Sequence, residues 1–192
     1  MKKLLFAVLL LMTAMSFSSC SYNGIVQADE DTKAKWGAVQ SQYQRRADLI
    51  PNLVNTVKGE ANFEKSTLTE VTEARAKATS VQVDASKLTP ESVQKYQEAQ
   101  GELSTALGRL LSVTENYPTL RANDAFRGLQ AQLEGTENRI SVARNDFNGS
   151  VQLYNSKIRA FPANLTAKMF GFSPKGYFAA EANAQKAPEV KF

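Results

Sequence analysis

Histidine is absent from the 192 residues, and cysteine occurs once, at position 20. The first absence removes the commonest general base, every His-based nucleophilic triad and the imidazole ligands of catalytic zinc. The second leaves no thiolate cluster for a metal and no partner for an intramolecular disulfide. A di-metal bundle site of the Glu-x-x-His kind is excluded with them, and there is no glycine-rich phosphate loop. Only carboxylate or lysine chemistry is left open to catalysis, so the chain reads as a non-enzyme without a cofactor. Period-two alternation is missing over any length that a strand would need, which points to an all-α fold. Past residue 20, no apolar run approaches the ~18 residues that cross a bilayer. Nor is charge of one sign concentrated. The 23 basic residues face 19 acidic ones, with no basic stripe of the kind nucleic acid requires.

What is present begins at the N-terminus. Lys2 and Lys3 precede an apolar run over residues 4–15 and then Ser18-Ser19-Cys20. A basic start and about 7–15 apolar residues have the form of a secretory signal, too short to span. Ser18-Ser19-Cys20 resembles the lipobox of bacterial lipoproteins, with Phe17 in place of the usual leucine. That resemblance implies cleavage before Cys20 and lipidation of its thiol, which would remove the liability of a free cysteine in an oxidising compartment. The other reading is an ordinary secreted protein cut after an A-x-A-like site. Under the first, residues 1–19 are a signal peptide, 20–28 a lipidated cysteine and polar tether, 29–180 a helical bundle and 181–192 a frayed tail. Without Lys2 and Lys3, 21 basic residues stand against 19 acidic, a net charge of +2. The 173 residues after position 19 suffice for one domain with a sizeable core.

Three apolar seams predict three long helices. Trp36, Val39, Tyr43, Ala47, Ile50, Val54, Val57 and Ala61 advance by threes and fours, and Leu49 and Leu53 widen that stripe. Pro51 lies inside it, removing one amide donor and leaving the Ala47 carbonyl without its helical partner. Gly59 is a second weak point, and the helix either breaks near residues 61–64 or runs on to about residue 79. Residues 80–88 read as a connector. Thr89-Pro90-Glu91 is a start signal, with an N-cap, a proline at the first helical position and an acid in the first turn. Val93, Tyr96, Gln100, Leu103, Leu107, Leu110, Thr114 and Tyr117 then alternate three and four up to Pro118. From about Asn123 the third seam carries Phe126, Leu129, Leu133, Thr136, Ile140, Ala143, Phe147, Val151, Tyr154 and Ile158 before Pro162. Long amphipathic helices with short connections make an antiparallel bundle of three to four helices.

Three segments carry a family resemblance. They are Arg45-Arg46-Ala47-Asp48-Leu49-Ile50-Pro51-Asn52-Leu53-Val54-Asn55-Thr56-Val57-Lys58-Gly59, then Thr136-Glu137-Asn138-Arg139-Ile140, and the stretch from Tyr154-Asn155 through Phe161-Pro162 to Phe170-Gly171-Phe172. In this order they resemble the signature segments of the LemA family and cover nearly the whole chain after the signal. The resemblance implies an antiparallel bundle of long helices attached to a bacterial membrane by its N-terminal segment. Many members use an uncleaved transmembrane helix there, where this chain offers Cys20.

The candidate functional residues are amides, arginines and aromatics. Asn148 and Asn155 lie seven apart on one face of the third helix, and Asn52 and Asn55 adjoin the first seam just past Pro51. One reading joins the four in an internal hydrogen-bond set that satisfies the Ala47 carbonyl, and the other leaves them on polar flanks. Arg45 and Arg46 either pair along their helix, Arg45 with Asp48 three residues on, or dock a partner's carboxylates or lipid head groups. Arg139 and Arg144 invite the same two readings. Glu60 and Glu64 share a helix face if the first helix continues, and read as solvated rather than as a cation site. Past Pro162, Phe170, Phe172, Tyr177 and Phe178, with Gly171 and Gly176 as turn points, either cap one end of the bundle through a short helix at 164–170 or form an apolar contact patch. The functional expectation is a membrane-tethered scaffold for other envelope or membrane proteins. The alternative is a protein that binds or remodels the bilayer.

Overall fold

A computed structural model describes residues 2–60 and 63–179, with side chains from Ser21 onward. Six helices account for it: α1 (Lys2–Lys58), α2 (Lys65–Ser80), α3 (Pro90–Thr114), α4 (Pro118–Ala122), α5 (Asp124–Arg159) and α6 (Ala163–Met169), with no strand among the described residues. The fold is therefore all-α. Local signals set most of the boundaries. Thr89 Oγ1 accepts from the Ser92 amide and Pro90 follows at the first helical position, where its missing N–H costs nothing. Asn123 Oδ1 accepts from the amides of Ala125 and Phe126 and opens α5. The first helix stops at Lys58, settling the open question at Gly59 in favour of a break. The third seam's predecessor ends earlier than expected: α3 stops at Thr114, and Pro118 starts α4 instead of ending α3.

Cross-helix pairs give the directions. Lys157 Nζ donates to the Gly24 carbonyl, Lys35 pairs with Asp146 and Arg46 with Glu137, so α1 and α5 run antiparallel. Glu70 with Arg109 and Ala78 with Gln100 set α2 antiparallel to α3. Tyr96 meets Trp36 and Tyr43, and Ser104 meets Arg46, which lays α3 parallel to α1.

The interior forms three zones along the bundle. At the distal end, five helices bury an aliphatic cluster that includes Leu53, Val57, Val71, Leu103, Leu110, Leu120 and Phe126. The middle is aromatic, with Trp36, Tyr43, Tyr96, Phe147 and Phe178 packed together. The proximal end is thinner, where Ile25 and Ala28 of α1 meet Tyr154 and Ile158 of α5 and Ala167 of α6. Residues 21–28 are thus not a tether. They continue α1, with Ile25 1% and Ala28 3% exposed, because α5 and α6 cover two positions that looked isolated in a polar stretch. The predicted signal peptide and lipidation at Cys20, and the tail at 181–192, fall on residues whose side chains or backbone lie outside the described ones.

Candidate functional site

After α6, residues 172–179 form no helix or sheet and cross the middle of the bundle, over α5, α3 and the residue before α3's cap. Apart from the Phe172 and Gly176 amides, which reach the Ala167 and Leu88 carbonyls, their backbone groups look to side chains for partners. Three primary amides supply them, each gripping one residue by both its N–H and its C=O. Asn155 donates to the Lys175 carbonyl and accepts from the Lys175 amide, both at 2.9 Å. Asn148 does the same for Phe178 at 3.0 and 2.9 Å, and Gln97 of α3 for Ala179 at 3.0 and 2.9 Å. The seven-residue spacing of the two asparagines on α5 fits the three-residue advance of the strap, since two helical turns and three extended residues both cover about 10 Å. Tyr154 adds a bond from its hydroxyl to the Ser173 carbonyl, and Arg144 one to that of Ala179.

Two further contacts lock the strap. Gly176 donates to the Leu88 carbonyl at 2.9 Å, and a Cβ on it would lie 2.6 Å from the Cα of Pro90. Gly176 is therefore a point of close backbone approach rather than the turn expected of it. Gly171, with φ of 75°, is a genuine turn. Lys175, 7% exposed, places its ammonium 2.9 Å from Asp29 and over the ring of Tyr154. Burial alone would raise the Asp29 carboxyl, but hydrogen bonds and charge from Lys33 and Lys175 outweigh it and hold the group below its ordinary value. Burial pushes the Tyr154 hydroxyl up to about 12, with the nearby Asp29 charge adding to it.

The second constellation centres on Arg46. Its side chain is 1% exposed and reaches the Glu137 carboxylate at 2.7 Å, Ser104 Oγ at 2.6 Å, and the Gln100 carbonyl and side-chain oxygen at 3.0 and 2.8 Å, with the Tyr43 ring beneath it. Gln100 in turn donates to the Ala78 carbonyl. One arginine thus ties α1, α3 and α5 together, and through Gln100 the end of α2. Arg46 cannot be a docking residue for a partner; it is a buried structural hub.

The four asparagines do not form one set. Asn52 and Asn55 are exposed, and the Ala47 carbonyl that Pro51 frees accepts from Arg75 Nε of α2 at 2.8 Å. A guanidinium from the neighbouring helix reaches a carbonyl on the buried face of α1, to which amides on the outer face have no access. Asn148 and Asn155 are drawn instead to the strap. Arg45 is exposed, and Asp48 accepts from Gln44 rather than from it. Arg139 is exposed and donates to Thr136 Oγ1. Glu60 and Glu64 no longer share a helix face, because the chain breaks between them; Glu64 accepts from Thr67. Phe170 and Phe172 meet Tyr22 of α1, at ring separations of 4.8 and 6.0 Å.

Residues that sequence reasoning passed over include Gln97, Arg75 and Asp29. Glu137 was visible only as part of a signature segment, and its spacing to Arg46 carries no local signal. Among the described residues no three of His, Cys, Asp or Glu are placed to hold a metal ion.

The LemA family model matches residues 35–192, a span that holds the Arg46 hub, the amide grips and the strap. This chain belongs to the LemA family. Among its relatives, this LemA-family chain is 31% identical to magnetosome protein MamQ 2 of Paramagnetospirillum magneticum, over 82% of its own length and 64% of that protein's. It is 29% identical to magnetosome protein MamQ of Magnetospirillum gryphiswaldense over the same shares. Protein LemA of Metamycoplasma hominis is 24% identical over 76% of this chain and 63% of the relative. The chain thus spans slightly under two thirds of the length of these relatives.

Proposed function

We propose that this LemA-family chain is a non-catalytic module of the bacterial cell envelope, held at a membrane by lipid on Cys20 and offering its helical surface to other envelope or membrane proteins. The observation that carries this reading is where the polar interior groups go. Arg46, Gln100, Asn148, Asn155, Asp29 and Lys175 all bind other parts of the chain, so the chemically capable residues of the interior are engaged in holding a rigid shape. Two hollows on the surface fit the same view. One lies against α4 and α5 and is lined by Pro118, Arg121, Ala122, Arg127 and Gln130, without a carboxylate or hydroxyl. The other is bordered by Gln40, Tyr43, Tyr96 and Gln100, beside the Arg46 hub. Neither gathers a nucleophile and a base.

The elongated bundle, with α5 alone about 54 Å long at 1.5 Å per residue, presents a large lateral surface, and an anchor would confine it to two dimensions. No helix of the described residues is long and apolar enough to cross a membrane. The test is cross-linking in intact cells followed by capture, with Cys20→Ala as control. Recovery of a defined set of envelope proteins that is lost in the control supports a tethered scaffold. Recovery of nothing beyond lipid, or of the same proteins without the anchor, overturns it.

A further inference from the structure

The proximal end of the bundle exposes apolar side chains where burial would be expected. Phe161 is 82% exposed and Met169 72%, and Leu165, Phe170 and Tyr22 join them. Leu165 and Met169, four residues apart, share the outward face of α6, whose inward face buries Thr166 and Ala167 against the bundle. Phe161 stands at the corner leading into that helix, and Phe170 leaves it to meet Tyr22 in a tilted ring contact. With Tyr22 and Phe170 in contact, these five exposed residues make up the apolar apron of the end where α1 follows directly on Cys20.

Charge is distributed to match. The proximal end draws on residues 21–28 and on the stretch 147–180, and neither contains a carboxylate: none occurs before Asp29, nor between Asp146 and Glu181. The second stretch carries Lys157, Arg159, Lys168 and Lys175. Lys175 is neutralised by Asp29, whereas Arg159 and Lys168 are exposed beside the apron. Aromatic and aliphatic side chains flanked by two exposed cations, on stretches without a carboxylate, match the interface of a bilayer with anionic head groups.

We propose that this apron, Tyr22 with Phe161, Leu165, Met169 and Phe170, rests in the membrane interface, with Arg159 and Lys168 on lipid phosphates, so that the bundle stands with its aliphatic end away from the bilayer. The occupant is lipid rather than a protein because the apron adjoins the segment, Lys2, Lys3 and the apolar residues 4–15 with Cys20, that would bring the chain to a membrane. The inference goes beyond the scaffold reading and shares with it only membrane attachment.

The experiment uses the full chain, purified from bacterial membranes and reconstituted in phosphatidylethanolamine and phosphatidylglycerol vesicles whose acyl chains are brominated near the head group. A tryptophan is added by Leu165→Trp or Met169→Trp, with Asn52→Trp at the distal end as control; native Trp36 is fully buried, sixteen residues beyond Cys20, and serves as a constant background. The added emission should be quenched at 165 and 169 and unchanged at 52. Quenching should weaken when phosphatidylglycerol is replaced by phosphatidylcholine, and again with Arg159→Gln and Lys168→Gln together. A chain that floats with the vesicles while positions 165 and 169 stay unquenched overturns the apron and leaves the anchor standing; that result would assign the patch to a protein partner. A chain that does not float overturns both.

Discussion

The distal and proximal halves of this bundle are held by different means. Beyond Arg46, α1, α2, α3 and α5 interlock through Leu, Ile, Val and Ala, with Phe126 the largest side chain in the buried cluster. Stability there follows from apolar area, at about 25 cal/mol per Å2. Below Arg46 the packing turns aromatic, α2 has ended, and the place of a fourth helix is taken by a connector and a strap. Trp36 donates to the Val83 carbonyl of that connector at 3.2 Å, and amides grip the strap. A segment outside helix and sheet cannot satisfy its own backbone, so its place in a helical bundle depends on directional bonds from specific side chains. The distal half should therefore tolerate apolar exchange, and the proximal half should fail locally, strap first.

The largest expected effect lies at the boundary. Arg46→Ala leaves the Gln100 carbonyl and amide oxygen without their partner and opens a cavity, so we expect a loss of about 3–5 kcal/mol in urea unfolding, felt in both halves at once. Arg46→Met fills the same space without a charge to desolvate and should cost less. A loss from Arg46→Ala no larger than that of an exposed site such as Arg45→Ala would remove the hub.

Next come the asparagines, where the two halves can be compared with one residue type. Asn155→Leu strips a buried N–H and C=O of Lys175 of their partner, and Asn148→Leu does so at Phe178; each should cost about 1–3 kcal/mol. Asn52→Leu and Asn55→Leu, both exposed, should stay within about 0.5 kcal/mol. Equal effects for the two pairs would sink the contrast. Gly176→Ala presses on Pro90 from the other side of the strap, with an expected cost of about 1–3 kcal/mol. Hydrogen exchange should then show residues 173–179 opened while the amides of α1 and α5 at the distal end stay protected.

Sequence reasoning reached what is local. The α3 start rests on Thr89, Pro90 and Glu91, the α5 start on Asn123, and the seam positions of α1 from Trp36 to Val57 are buried as periodicity demands. It missed what depends on distant partners. Residues 21–28 looked like a tether because Ile25 and Ala28 make no stripe by themselves; Tyr154, Ile158 and Ala167 bury them. Arg46 looked like a surface residue because arginine is rarely buried without a partner, and its carboxylate lies 91 positions on. Asn148 and Asn155 were singled out for their common face, yet the strap they hold has no repeating pattern to announce it. The resemblance to the LemA family pointed to the segments that matter without saying that Arg46 and Glu137, in two of them, meet.

The smallest effect concerns acid, and it separates the halves by pH. Among the described residues, Asp29 is the carboxylate that ties the strap, through Lys175, to α1. Its folded pKa lies below the ordinary 3.8, so it binds protons less readily folded than unfolded. Its contribution is then complete above that ordinary value and is lost as pH falls through the lower, folded one. Between neutrality and about pH 4 the strap should hold; below that, Lys175 loses its counter-ion while the aliphatic distal core has no comparable buried carboxylate to titrate. Asn155 keeps its two bonds to the backbone of Lys175 throughout, so acid should loosen the strap rather than release it. Tyr177 gives a readout, since its hydroxyl lies 3.3 Å from Asn155 Nδ2 and its fluorescence or ring NMR signals should shift below about pH 4 in the native chain. In Asp29→Asn the same signals should begin nearer their acid position and lose that pH dependence. If the native acid transition survives Asp29→Asn unchanged, the strap is not held by this pair, and the proximal half rests on its amides alone.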